Sequence, residues 1–538
     1  RRALYYPPLL RGSVAQRSGL ADAAADSAVG AVSLFGGQAL AAFVAGLSSI
    51  ALARLLGPSG YGRYSLSTTV AGFLALATDF GVSAALAREA ARLSGDRRAL
   101  APAAGAALRF ALLTSLCAAS LGLALSGALT FALLRRPDMV GLVELTLPLV
   151  VFSALFNLSF SALLGLGDAR AVALLPVARD SVRGLLSPLL ALPFGCEGAV
   201  AGFVAGYGVA AALGVLLLRR RVGGFGRGGW GELRPMLAYG LPLYLSSALG
   251  TALGVYQNSL LAWVAADEEV GNLKAAANFA ALMQLASASI ASALFPAFSK
   301  LEKGEAARAL RYAAAYSSLV MAPVGAYAIA EAGALVGAVY GRAYRLAPGY
   351  LALQAVTYLW SGLGSVALGS FFQGIGETRV NFRASLTYAA VFVPLSLALA
   401  PLARAYGVLA SALVASLAST LYSLREAARR GASVDLGAAA RVCTAALLAA
   451  PPAVAAGLPL TSHWARLAVT APVYALAYNV LAPLLGCLSE EDLEAIGGAL
   501  SRTPVAPLAG AALRYERAVL GLVKPAAGLK RRRGSSRP

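Results

Sequence analysis

Gly165-Leu166-Gly167-Asp168-Ala169-Arg170 and Gly374-Ile375-Gly376-Glu377-Thr378-Arg379 are two forms of one pattern, G-x-G-[DE]-x-R, set 209 residues apart. Outward from it, the same shift carries Gly62 onto Gly271, Gly198 onto Gly407 and Arg220 onto Arg429. A constant shift without insertions describes two copies of one unit, over 32–221 and 241–430. Internal repeats are a common build of secondary transporters, in which one half moves against the other around a site between them.

Composition places both copies in a membrane. Hydrophobic residues make up 59% of the 538, charged residues 13%, and mean hydropathy is +0.71. A soluble chain carries about 25% charged residues. Apolar runs of about 20 residues match a hydrocarbon core of roughly 30 Å. They predict an all-α polytopic membrane protein of about 14 transmembrane helices, as two six-helix parallel repeats plus two C-terminal helices. The expected division is a cytoplasmic segment 1–30, repeats at 31–221 and 236–430, two further helices in 436–487, and a basic cytoplasmic tail at 488–538. Within this plan the second span is expected near 61–81, the fifth near 171–191, the seventh near 236–263 and the tenth near 346–372.

Orientation follows from Lys and Arg. With both termini cytoplasmic, roughly 34 of the 45 basic residues fall inside and about 9 outside. The net charge of +20 is then mostly this bias, and no soluble basic domain is left to bind nucleic acid. In 1–30, Asp22 and Asp26 interrupt the apolar stretch, so no signal peptide is expected there. Cys117, Cys196, Cys443 and Cys487 are scattered without metal-ligand or disulfide spacing. His463, the single histidine, is expected in an exposed outer loop. No cofactor, metal ion or catalytic residue is expected.

The stretch ALARLLGPSGYGRYSLSTTVAGFLALATDFGVSAALAREAAR (51–92) resembles the polysaccharide transporter family. These are the lipid-linked oligosaccharide flippases of the multidrug/oligosaccharidyl-lipid/polysaccharide exporter superfamily. The matching parts are R-L-L-G-P-x-x-Y-G-x-Y (Arg54–Tyr64) and D-F-G-x-S-x-A-L-x-R (Asp79–Arg88), together with the two Gly turns. The resemblance implies the fourteen-span fold in the cell membrane. It also implies a function: moving a lipid-linked oligosaccharide from the cytoplasmic to the outer leaflet by alternating access. Partners would be that lipid, the bilayer and glycan-assembly enzymes, with the chain itself a monomer. Where the family commonly carries an Asp in the seventh span, this chain has Gln257-Asn258, which speaks against ion coupling at that spot.

The residues themselves suggest a site. In the fifth span Arg179 and Arg183 would lie about 12 and 18 Å deep at 1.5 Å per residue, on one helical face. Each costs about 2.5–3.5 kcal/mol at a helix centre, so each is expected to face a cavity or a partner. Their repeat mates are Tyr388 and Phe392, so the fold itself does not require the charges. With Arg109 they would form a cationic cavity for a phosphate or diphosphate, since the guanidinium fork matches phosphate oxygens. The competing reading is an Asp180–Arg183 pair that closes a packing interface. Gln38, Asn157, Tyr244, Tyr256, Gln257, Asn258, Asn278 and Gln284 would supply hydrogen bonds to sugar, or join helices to one another. Asp79 and Arg88, at the inner end of the second span, would form an inner gate with Arg109 or anchor the loop at headgroup level, and Asp180 is a further gate or coupling candidate. In RLLGPSGYG, Gly57-Pro58 should end a helix, and Gly60 and Gly62 should allow positive φ.

Two other functions compete. A cation-coupled multidrug exporter of the same superfamily usually has twelve spans and embedded acids, against the two extra spans and basic residues here. A membrane glycosyltransferase needs acidic metal ligands on a sizeable outer loop. Asp267-Glu268-Glu269, in a short loop, is the one candidate set.

Overall fold

The computed structural model describes residues 12–93 and 96–487, with side chains described for all of these except 12–39, 97, 98 and 246. Gln38 and the tail after 487 therefore lie outside the described side chains. Every regular element among the described residues is helical. The chain divides into two compact units at the end of the eighth helix, between Trp263 and Val264.

The first unit holds α1 (Gly12–Ala75), α2 (Val82–Arg92), α3 (Arg97–Ala124), α4 (Ser126–Leu134), α5 (Val140–Thr146), α6 (Pro148–Gly165), α7 (Ala169–Val222) and α8 (Trp230–Val264). The second holds α9 (Asp267–Ser299), α10 (Lys303–Ala330), α11 (Ala332–Tyr340), α12 (Ala347–Ala355), α13 (Leu368–Gly374), α14 (Thr378–Ala428), α15 (Leu436–Leu448), α16 (Ala450–Gly457) and α17 (His463–Leu484). Among the described residues nine helices are long and apolar enough to cross a membrane, or eleven if each of two bent pairs is one span.

The longest helices each contain one non-helical residue. These are Gly57 in α1 (φ 67°), Gly195 in α7 (φ 57°) and Arg404 in α14 (φ 48°). Gly195 and Arg404 are 209 residues apart. The expected break in RLLGPSGYG is thus present, but its left-handed residue is Gly57 alone. Gly60 and Gly62 stay at negative φ, because the Gly57-Pro58 step already redirects the chain.

Packing repeats at the same offset. Small residues at 198, 202, 206, 210 and 214 line one face of α7 after its kink, letting its two halves approach closely. A Cβ on Gly198 would strike the Leu190 carbonyl, and one on Gly407 would strike the Leu399 carbonyl. Buried Leu158, Ala162 and Leu218 belong to one apolar core, and Ala367, Phe371 and Ala427, each 209 residues on, belong to another. The last three helices pack on α10 through Tyr474, Tyr478, Ala445 and Ala449. They are anchored by Arg466 Nε on the fully buried Glu331, at 2.7 Å.

Several expected elements differ. The second span does not run unbroken over 61–81: α1 stops at Ala75, and α2 restarts at Val82. Phe80 (φ 46°) and Gly81 (φ 82°) are left-handed there. Asp79 accepts from Gly81 N at 3.0 Å and from Ser83 N at 3.1 Å, so its carboxylate caps the new helix. The tenth span is likewise split at Gly364 (φ 86°), between a 3-10 turn over Val356–Leu363 and α13. His463 is not in a loop. It opens α17, half-buried, with its ring packed on Gly337.

Candidate functional site

Arg179 and Arg183 converge on Asp180 within the first unit. Arg179 Nε and Nη2 donate to the two Asp180 oxygens at 3.1 and 2.8 Å, and Arg183 Nε lies 3.7 Å from Oδ1. The Asp180 side chain is 4% exposed, those of Arg179 and Arg183 23% and 20%. Aromatic faces cover the guanidiniums: Phe156 and Tyr207 lie 5.2 and 5.1 Å from Arg179, and Phe203 lies 5.4 Å from Arg183. Gly206 lets the returning half of α7 close over them, since a Cβ there would touch the Arg179 carbonyl and Arg183. Two guanidiniums on one buried carboxylate leave one surplus positive charge, which ring quadrupoles offset by about 0.5–2 kcal/mol per contact.

Arg109 is not with them. It donates to the carbonyls of Gly226 and Gly228, at 3.2 Å to the first, and so holds the segment leading into α8. Arg88 stacks over Tyr239 of α8 at 4.3 Å. Gly81 and Gly240 meet backbone to backbone, and Tyr244 donates to the Leu76 carbonyl. Asp79, Arg88 and Arg109 thus do not meet one another. Each lies where the start of α8 is tied to α2, α3 or the break before α2.

A second cluster was not singled out from the sequence as a set. The break at Leu76–Gly81, α6 and α8 enclose a cavity of about 380 Å³, lined by Asp79, Ser83, Ser153, Asn157, Ser161, Tyr244 and Thr251. Ser153, Asn157 and Ser161 are spaced by four and form one stripe along α6. That spacing in an apolar span was the available signal. The structure thereby brings Asp79, Asn157 and Tyr244 together. Tyr256, Gln257 and Asn258 lie half-buried further along α8 and are not among the cavity's lining residues. A wider apolar groove of about 630 Å³ runs between α1 and α7, lined by Leu47, Leu55, Leu185 and Leu189. No three His, Cys, Asp or Glu among the described residues are placed to hold a metal ion.

The acid of each Gly turn also has a defined partner. Asp168 caps α7 by accepting from Ala171 N at 3.2 Å, and Arg221 Nε, at the far end of the same helix, reaches its Oδ2 at 2.6 Å. Glu377 is held by Arg430 at 2.8 Å. Both partners sit 209 residues apart, as do the acids, so each G-x-G-[DE]-x-R turn clasps the two ends of a helix pair.

A family model described as "Polysaccharide biosynthesis protein" matches residues 51–347, more than half of the chain. No curated protein matches the sequence. Among solved structures, the lipid II flippase MurJ in an inward closed conformation aligns with TM-score 0.70 and 12% identity, over 84% of this chain and 98% of its own. An inward-facing multidrug resistance MATE family transporter of the MOP superfamily aligns with TM-score 0.60 and 18% identity, over 72% and 95%. A MOP superfamily transporter from Pyrococcus furiosus aligns with TM-score 0.51 and 18% identity, over 75% and 95%. These likenesses establish the fold, that of MurJ and of MATE transporters, and the matched residues show that the chain, with its many helices apolar enough to cross a membrane, belongs to the polysaccharide biosynthesis protein family.

Proposed function

We propose that the protein moves a lipid-linked oligosaccharide from the cytoplasmic to the outer leaflet of the cell membrane by alternating access. In this reading the helices divide at Gly57, Gly195 and Arg404 to give fourteen crossings in two six-helix repeats plus two, with both termini cytoplasmic. The observation that carries the cargo assignment is the surplus positive charge of Arg179 and Arg183 on Asp180, deep in an apolar helix. Such a charge is costly in hydrocarbon and is retained where an anion uses it. The main barrier to flipping is moving the diphosphate charge and the sugar hydroxyls through hydrocarbon. The Arg179 fork is held by Asp180 here, so in this reading the cargo's phosphate oxygens take the carboxylate's place on the guanidiniums and the fork replaces their water, while the lipid tail stays in the bilayer. The protein does no bond chemistry on its cargo.

Substituting both arginines by Gln should abolish translocation of a polyprenyl-diphosphate oligosaccharide in liposomes, with insertion and abundance near normal. Lys at both positions should restore part of it, since it keeps the charge and loses the fork. A double Gln variant that flips at the wild-type rate overturns the cargo assignment. Transport of an organic cation, with no movement of the glycolipid, would favour the drug-exporter reading instead.

A further inference from the structure

Resting on the flippase reading, we propose that the cavity at the break between α1 and α2 is a seat for an uncharged sugar of the cargo and discriminates against acidic sugars. Its lining holds no Lys or Arg, and its one ionisable acid is Asp79. It is therefore not a phosphate site. The Asp79 carboxylate is already occupied by Gly81 N, Ser83 N and Ser83 Oγ, so it contributes negative charge more than free hydrogen-bonding capacity.

The capacity left over lies on the neutral groups. Asn157 and Thr251 are exposed, Ser161 is partly so, and all three line the cavity. Among the described residues none of the three side chains is hydrogen-bonded to another group. An amide and two hydroxyls together offer donors and acceptors in alternation, the pattern of a sugar ring's vicinal hydroxyls. In an apolar span such groups normally join neighbouring helices. Here the helices stand apart around about 380 Å³, so the groups face a space instead of one another.

The fold does not demand them. The positions 209 residues after Ser153 and Asn157 are Gly362 and Val366, so the second unit packs without those two polar groups; only Ser161 has a polar mate, Ser370, whose hydroxyl is spent on the Ala291 carbonyl at 2.6 Å. A hexuronic acid placed against Asp79 would meet a like charge in a low-dielectric site, which raises its cost over a neutral hexose.

The test uses full-length protein in liposomes with three probes: polyprenyl diphosphate carrying a neutral trisaccharide, the same lipid with one hexose replaced by hexuronic acid, and bare polyprenyl diphosphate. Wild type should move the neutral glycolipid about tenfold faster than the acidic one. Asn157→Leu with Thr251→Val should slow the neutral glycolipid about tenfold, the loss of one or two desolvated hydrogen bonds, and leave the bare lipid diphosphate unchanged. Asn157→Gln should recover part of the rate, and an unchanged unfolding midpoint separates this from loss of fold. Equal wild-type rates for the two glycolipids, or a Leu/Val variant at the wild-type rate on the neutral one, overturns the sugar seat alone. If wild type moves neither glycolipid, the flippase reading falls first and the seat with it.

Discussion

Helices α7 and α14 share one plan and differ at its centre. Both start behind a Gly turn, kink at the same offset, close a small residue onto a backbone carbonyl, and return an arginine to the acid of their own turn. Midway along the incoming half, α7 carries Arg179, Asp180 and Arg183, where α14 carries Tyr388, Ala389 and Phe392. In the second unit Tyr388 and Phe392 stack at 5.5 Å, with Phe392 1% exposed. The helix pair therefore packs as well on rings as on an ionic cluster. What the charges add in the first unit is not needed for the pair to form, and that is the physical ground for assigning them to cargo.

The comparison can be broken most forcefully at Asp180. Replacing it by Ala leaves two half-buried guanidiniums without their counter-ion and should cost about 2–3 kcal/mol, less than for a fully buried pair, read as a fall in the unfolding midpoint in detergent. Rewriting the cluster as Arg179→Tyr, Asp180→Ala and Arg183→Phe, after the second unit, should restore that midpoint and still abolish flipping. If the triple variant unfolds like the single one, the two helix pairs are not interchangeable in packing. If it flips normally, the charges are structural.

A smaller effect is expected at the kinks. Gly195→Ala forces a Cβ into a left-handed conformation and should destabilise by about 1–2 kcal/mol. Arg404→Gly should do the reverse by about 1 kcal/mol, because it relieves the same strain. The exposed Arg404–Glu269 pair it loses, at 3.4 Å, contributes little. Equal and opposite shifts in unfolding midpoint would sharpen the likeness of the kinks. Loss of stability in both would show that Arg404 holds its kink through contacts that Gly195 lacks.

The smallest effect concerns pH. Arg430 beside Glu377 holds its carboxyl below the usual carboxylate range. A depressed pKa means that the pair stabilises the protein above the ordinary Glu value and loses that contribution as pH falls through the lowered one. Glu377→Gln should therefore narrow the difference in midpoint between neutral and acidic pH slightly, the side chain being 36% exposed. An unchanged pH profile in that variant would mean the clasp contributes nothing measurable in the second unit.

Much of the plan was legible before any coordinates. A constant 209-residue shift ran through Gly198, Arg220 and the Gly turns, and the same shift relates the Gly195 and Arg404 kinks and the Asp168–Arg221 and Glu377–Arg430 clasps. Family membership was legible in Arg54–Tyr64 and Asp79–Arg88. The candidate site was legible only in pieces. Asp79, Asn157 and Tyr244 were each noted, but the Ser153-Asn157-Ser161 stripe acquires meaning only beside a gap. Arg109 was grouped with Arg179 on charge, whereas its guanidinium serves the loop carbonyls of Gly226 and Gly228.

The sequence by itself determined that the chain carries helices apolar enough to cross a membrane many times, that a 209-residue offset recurs along it, and that the helix breaks at Gly57-Pro58. Hydropathy, glycine placement and the repeat offset are local or periodic properties, and they survive without knowledge of the packing. Only the tertiary structure decided which polar groups pair and which are left facing a cavity. A guanidinium bound to a neighbouring carboxylate and one open to a ligand have the same sequence. They differ in whether a helix from elsewhere in the chain comes close enough to satisfy them.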